Sequence, residues 1–271
     1  MSLFNAAYQC LSASTIEEKV LLTQAFAQQW TERTLVWSEA DEPPPLAISI
    51  PGRPAQPRLV APRELPRRRL STHEGHAALL HSVAHIEFNA INLAWDAVYR
   101  FRYMPLAYYD DWVWVAAEEA QHFQALRGHL RSLGYDYGDF PAHNGLWEMA
   151  QDTAHDVLVR MAMVPRVLEA RGLDVTPGMM QKLEAFGDQE AVAILQVIWQ
   201  EEIGHVAAGS RWFHFSCAQR HYEAESTFRQ LIKDYLKGDL HPPFHQEARL
   251  AAGFSAAELA ALEARYGGSG A

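Results

Sequence analysis

The stretch Asp111-Trp-Val-Trp-Val-Ala-Ala-Glu-Glu-Ala-Gln-His122-Phe carries Glu119 and His122 three positions apart, and Glu202-Ile-Gly-His205 repeats the pair. Positions i and i+3 share a helix face, so each Glu-x-x-His offers one carboxylate and one imidazole to a single ion. A lone glutamate precedes each pair at matched distance: Glu87 lies 32 residues before Glu119, and Glu169 lies 33 before Glu202. Roughly one Glu-x-x-His arises by chance in a chain of this composition. Two pairs with equal spacing to an upstream helical Glu are much harder to reach by accident.

In an antiparallel helix pair, residues equidistant from the turn face each other. The midpoint of 87 and 119 is residue 103, in Arg102-Tyr-Met-Pro105, and the midpoint of 169 and 202 falls beside Gly187. Both carry turn signals. The spacing therefore predicts an all-α chain in which four helices form a bundle around a dinuclear metal site, with Glu87, Glu119, His122, Glu169, Glu202 and His205 as ligands. Carboxylates and imidazoles suit Fe or Mn, and four carboxylates nearly neutralise two divalent cations. Two iron ions are the expected cofactor; manganese, alone or with iron, fits the same donors. Glu118 and Glu201, four positions before the histidines, are alternative ligands. Glu148, on the helical stripe of Glu169, competes for the third carboxylate.

Proline placement organises the rest. Eight of the 14 prolines fall between Pro43 and Pro66, where no helix interior is expected. Thr15-Ile-Glu-Glu18 reads as a capping box opening a helix to about Trp30, and Ser71-Thr-His-Glu74 as a second one opening a helix over 73–100. Further helices are expected over 105–132, over 146–171 with a kink at Pro165 and a stop at Gly172, as a short piece from Thr176-Pro177 to Gly187, and over 189–219. A tail helix near 223–237 and two short ones ending at Gly267 complete the pattern. The division is 1–72 for an N-terminal helix and Pro-rich extended segment, 73–221 for the bundle, and 222–271 for a helical tail. No stretch alternates with period two, so no sheet is expected. The loop 133–144 spans at most ~40 Å, enough to cross a bundle of helices ~37 Å long.

Composition narrows the function classes. No apolar run approaches the length of a membrane span, and the N-terminus lacks a secretory pattern, so a cytoplasmic protein is expected. Two cysteines, Cys10 and Cys217, are too few and too far apart for a disulfide framework or a cysteine metal site. The net charge of −10 argues against broad affinity for a phosphate backbone. Arg58, Arg63, Arg67, Arg68 and Arg69 form a local exception, read as a solvated loop or an anion-binding arm. His85, His155, Asp156 and Arg166 lie near the proposed ligands in sequence and stand as supporting residues or substrate contacts. Ala84 and Ala120 leave room beside the ligands. No tyrosine occupies 125 or 126, one turn beyond His122, which argues against radical storage.

His85-Ile-Glu87, the Asp111–Phe123 stretch, Leu146-Trp-Glu-Met, Val164-Pro-Arg-Val-Leu-Glu-Ala-Arg-Gly-Leu-Asp174 and Glu202-Ile-Gly-His205-Val resemble a bacterial ferritin-like domain family of unknown function. That family looks related to the di-iron hydroxylase of isopentenylated tRNA adenosine. The resemblance runs from Pro62 into the tail, covers about three quarters of the chain and includes all six proposed ligands. His245 stands where the family pattern has Asn. The resemblance implies a ferritin-like bundle, supports Glu169 over Glu148, and names no substrate. The expected function is a di-iron oxidoreductase that activates O2 and hydroxylates an organic substrate, small or carried on nucleic acid, with an unspecified electron donor. A ferroxidase or peroxide scavenger, or a scaffold with a structural metal, are the alternatives; a homodimer is open.

Overall fold

The computed structural model describes residues 1–37, 43–236 and 238–267. Among them there is no strand; two isolated bridges, Ser2 with Val36 and Leu59 with Ala142, are the only β-type pairings. The helices are α1 (Leu3–Ser12), α2 (Ile16–Thr31), α3 (His73–Arg100), α4 (Leu106–Ser132), α5 (Gly145–Asp152) and α6 (Val157–Met163). A π-helical turn (Val164–Glu169) comes next, then α7 (Ala170–Ala185), α8 (Gln189–Gln219), α9 (Ala224–Tyr235), α10 (Gln246–Ala251) and α11 (Ala256–Tyr266). The chain divides into two compact units, Met1–Gln151 and Asp152–Ala271.

The first unit is built on the hairpin of α3 and α4. Their turn holds Tyr103, exposed and in the left-handed region at φ +62°, at the midpoint that the spacing predicts. Thr72, not Ser71, caps α3 by accepting from the Gly75 N–H, which places the cap one residue later than expected. Thr15 caps α2 as predicted, accepting from the Glu18 N–H. Helix α1 has no counterpart in the sequence expectation. It opens on Ser2, which accepts from the Asn5 N–H, and it buries Leu3, Phe4, Ala7, Cys10 and Leu11 at helical spacing. Lys19 ties these helices together without any carboxylate: its buried Nζ donates to the Cys10 carbonyl (2.6 Å) and to Asn92 Oδ1 (2.7 Å). Burial pushes its ammonium down to about 8.

The Pro-rich segment is extended and fastened at intervals. The Leu46 N–H donates to Tyr99 Oη, Gly52 donates to the Leu11 carbonyl, and Trp147 Nε1 donates to the Ser49 carbonyl. Gly52 is obligatory there, because a Cβ would stand 2.3 Å from the Ser12 carbonyl oxygen. Arg58, Arg63, Arg67 and Arg69 are exposed along this segment, while Arg68 pairs with Glu74 (2.9 Å) and covers the Phe140 ring.

In the second unit the sequence expectation needs three corrections. The helix expected over 146–171 is broken at Thr153–Asp156, where Asp156 caps α6 through the Leu158 N–H and pairs with Arg220 at 2.6 Å. Gly172 does not stop a helix, and Pro177 does not start one; α7 runs through both. A proline inside a helix frees the carbonyl four residues earlier, here Leu173, and Trp199 Nε1 donates to it at 3.0 Å. The indole thus replaces the missing N–H. His245 caps α10, its Nδ1 accepting from the Ala248 N–H, which is the task Asn performs well at that position. The two cysteines are buried and free, and none of the helices is long and apolar enough to cross a membrane.

Gly128 and Gly172 lie in helices where an added Cβ would meet nothing within 4 Å. Gly128→Ala and Gly172→Ala should each raise stability by about 1 kcal/mol, read as a higher urea midpoint at unchanged m-value. A pH dependence arises from His81, whose buried Nε2 accepts from the Gly138 N–H and whose ring burial pushes down from 6.5 to about 4. The unfolded chain then takes up a proton between these values and the folded chain does not, so stability is lost as pH falls from 6.5 toward 4, at about 1.4 kcal/mol per pH unit. His81→Asn should flatten that slope in urea titrations run across the interval.

Candidate metal centre

Each unit contains one Glu/Glu-x-x-His triad on neighbouring helices. In the first, α3 supplies Glu87 and α4 supplies Glu119 and His122, all three buried. His122 Nδ1 lies 3.1 Å from Glu87 Oε2 and 3.6 Å from Glu119 Oε2. One ligand atom from each of the three falls within 4.8 Å of the others. The equal-spacing argument therefore holds within this hairpin: residues equidistant from Tyr103 do meet.

The electrostatics of this cluster are those of a site short of positive charge. Burial, and then the charge of Glu119, raise the Glu87 carboxyl above the usual range. Burial also works against a charged His122, yet its hydrogen bonds to Glu119 and Glu87 outweigh that and hold the imidazolium well above its ordinary value. A proton on Nδ1 thus compensates the carboxylates. A divalent cation does the same with more charge, and its entry must displace that proton.

In the second unit, Glu169 ends the π turn, and α8 carries Glu202 and His205. All three are buried, with His205 Nδ1 3.4 Å from Glu202 Oε1. Glu202 Oε2 has no hydrogen-bond partner. A buried carboxylate oxygen without a donor costs free energy that a cation would recover, so the donor chemistry of the triads fits a hard metal ion.

The alternatives sort by burial. Glu118 and Glu201 are half-exposed where Glu119 and Glu202 are buried, and Glu148 is exposed on α5. The supporting residues separate as well. His85 faces away from the ligands: Nδ1 lies 2.9 Å from Tyr137 Oη and Nε2 lies 2.9 Å from the His143 carbonyl, which fixes a neutral ring donating from Nε2. His155 is exposed and meets Tyr235, and Asp156 serves as cap and ion-pair partner. Arg166, fully buried, pairs with Glu258 rather than with a ligand. Sequence reasoning did not anticipate Tyr137, whose loop position gives no periodic signal, nor Gly209, whose bare backbone faces the Pro165 ring. Ala84 and Ala120 are buried as expected.

This chain belongs to the DUF455 family. The family's model, described as "Protein of unknown function (DUF455)", matches residues 12–260 and so takes in both triads. An uncharacterized protein of Haemophilus influenzae is 48% identical over 218 residues, 78% of this chain and 76% of that one. No solved structure matches the chain.

For this DUF455 member, Glu119→Ala and His205→Ala should each weaken metal binding by about 100-fold or more, beyond the 10–100-fold typical of residues that only support ligands. Glu118→Ala and Glu201→Ala should leave it unchanged. Competitive titration with a metal indicator separates the two sets.

Proposed function

We propose that this DUF455 protein is a ferritin-like, dinuclear carboxylate oxidoreductase that uses two iron ions to activate O2 toward an organic substrate. The observation that carries the reading is the buried triad of Glu87, Glu119 and His122, where a hairpin brings two carboxylates and an imidazole together. A second Glu/Glu-x-x-His set in Asp152–Ala271 supports it, since the two sets supply the four carboxylates and two imidazoles that such a pair of ions requires.

Under this reading Glu87, Glu119, His122, Glu169, Glu202 and His205 hold the ions. Such ions supply redox equivalents and a binding place for O2, chemistry that protein side chains lack. The chain's own contribution is placement and proton handling. Helical rigidity fixes the i,i+3 pairs, and burial excludes water from around them. His122 Nδ1 and Glu87 Oε2, 3.1 Å apart, would both have to be free of a proton to hold an ion, so binding would release protons to solvent. The small side chains of Ala84 and Ala120 avoid filling the space beside the ligands. Manganese, alone or with iron, satisfies the same donors. The hydroxylation chemistry is the reading's own expectation, taken from the sequence's resemblance to a family that looks related to the tRNA-adenosine hydroxylase, and it leaves the substrate open.

Freshly purified protein should contain about two iron or manganese ions per chain by elemental analysis. Reduced anaerobically and mixed with O2, it should consume O2 faster when a fraction containing the organic substrate is added. Absence of both metals would overturn the reading. O2 uptake indifferent to every organic fraction would instead favour a ferroxidase.

A further inference from the structure

Glu169 closes the π turn Val164–Glu169, the one π-helical segment among the described residues. Pro165 explains the departure. In an α-helix its ring would press on the carbonyl of Met161, and its nitrogen has no hydrogen to donate. Widening the turn relieves both problems, and the Ala170 N–H donates to the Pro165 carbonyl five residues back. An extra residue in a turn rotates the downstream helix by about 100° relative to the upstream one. The direction in which Glu169 leaves the helix is therefore tied to this turn.

The turn is held by the helix that carries the other two ligands. Gly209 of α8 has no side chain, and a Cβ there would stand 2.2 Å from Pro165 Cγ and 2.3 Å from Pro165 Cβ. The proline ring rests on bare backbone. Glu202, His205 and Gly209 are spaced i, i+3 and i+7, so the resting place of Pro165 lies on the same stripe of α8 as the ligands. From behind, Arg166 anchors the turn. Its Nη2 donates to both carboxylate oxygens of Glu258 at 2.8 and 2.9 Å, and its guanidinium lies 4.2–4.6 Å from the rings of Phe213, Phe228 and Phe254. Phe213 is one turn beyond Gly209 on α8. The C-terminal helix α11, which carries Glu258, is thereby connected to the placement of Glu169.

We infer that the contact of Pro165 with Gly209, backed by the Arg166–Glu258 pair, fixes where Glu169 stands relative to Glu202 and His205, which makes Pro165, Gly209 and Arg166 positioning residues for metal binding. This rests on the metal-binding reading of the triads. A turn that only accommodates a proline would affect stability alone; a turn that positions a ligand affects the metal in molecules that remain folded.

The test uses the full chain and Co2+ as probe, following its visible absorption during titration alongside the urea midpoint. Wild-type protein that binds no Co2+, Fe2+ or Mn2+ overturns the metal reading, and this inference with it. Given wild-type binding, Gly209→Ala should retain helix content yet bind Co2+ about tenfold more weakly, with an altered absorption band. Glu258→Gln, which keeps size but removes the charge and one of the two acceptor oxygens, should shift affinity in the same direction by less. Gly172→Ala, in the helix after the turn, should titrate as wild type. If Gly209→Ala does not fold, Glu258→Gln decides. Folded Gly209→Ala or, failing that, folded Glu258→Gln with wild-type Co2+ affinity and absorption overturns the inference while leaving the metal reading intact.

Discussion

Carboxylates removed from water govern this structure. Glu87 and Glu119 are both buried beside one imidazole, and an isolated buried carboxylate is too costly to keep without a proton, a partner or a metal. The helices around them are built to meet that demand. The hairpin of α3 and α4 brings His122 within hydrogen-bonding distance of Glu87. The same arrangement that is expensive as bare protein is a ready set of ligands.

Several buried charges and one freed carbonyl outside the triads find partners within the chain. Lys19 gives its hydrogens to a carbonyl and an amide oxygen. Asp174 takes two hydrogen bonds from Arg249 and one from the His245 N–H, and Glu258 accepts on both oxygens from Arg166. The Leu173 carbonyl freed by Pro177 finds Trp199. In each case the acceptor has a donor. Glu202 Oε2, by contrast, is buried without a hydrogen bond.

Membership of the DUF455 family extends that reasoning to relatives without adding an activity to it. The carboxylate chemistry requires that the Glu and Glu-x-x-His sets stay together in any relative that binds metal this way; their surroundings are free to differ. The exposed arginines between Arg58 and Arg69 belong to those surroundings, a charged stretch on an otherwise acidic protein, held in place by Pro-rich backbone fastened to the first unit.

Local rules carried much of the fold. The Thr15 cap, the α3 and α4 spans, the turn at Tyr103 and the long α8 were all legible because capping, helical period and turn residues act over a few positions. So was the pairing of Glu87 with Glu119 and His122, since equal distance from a turn is itself a local quantity. The errors fell where a distant residue supplies what the local sequence lacks. Pro177 continues a helix because Trp199 covers the freed carbonyl, whereas the irregularity expected at Pro165 takes the form of a widened turn whose ring faces Gly209. Burial likewise distinguishes Glu119 from Glu118, and Glu169 from Glu148, pairs that spacing alone left open. Covalent neighbours determine which conformations a segment prefers; only packing against residues far along the chain decides which of its polar groups leave water, and therefore which carboxylates are placed to hold a cation.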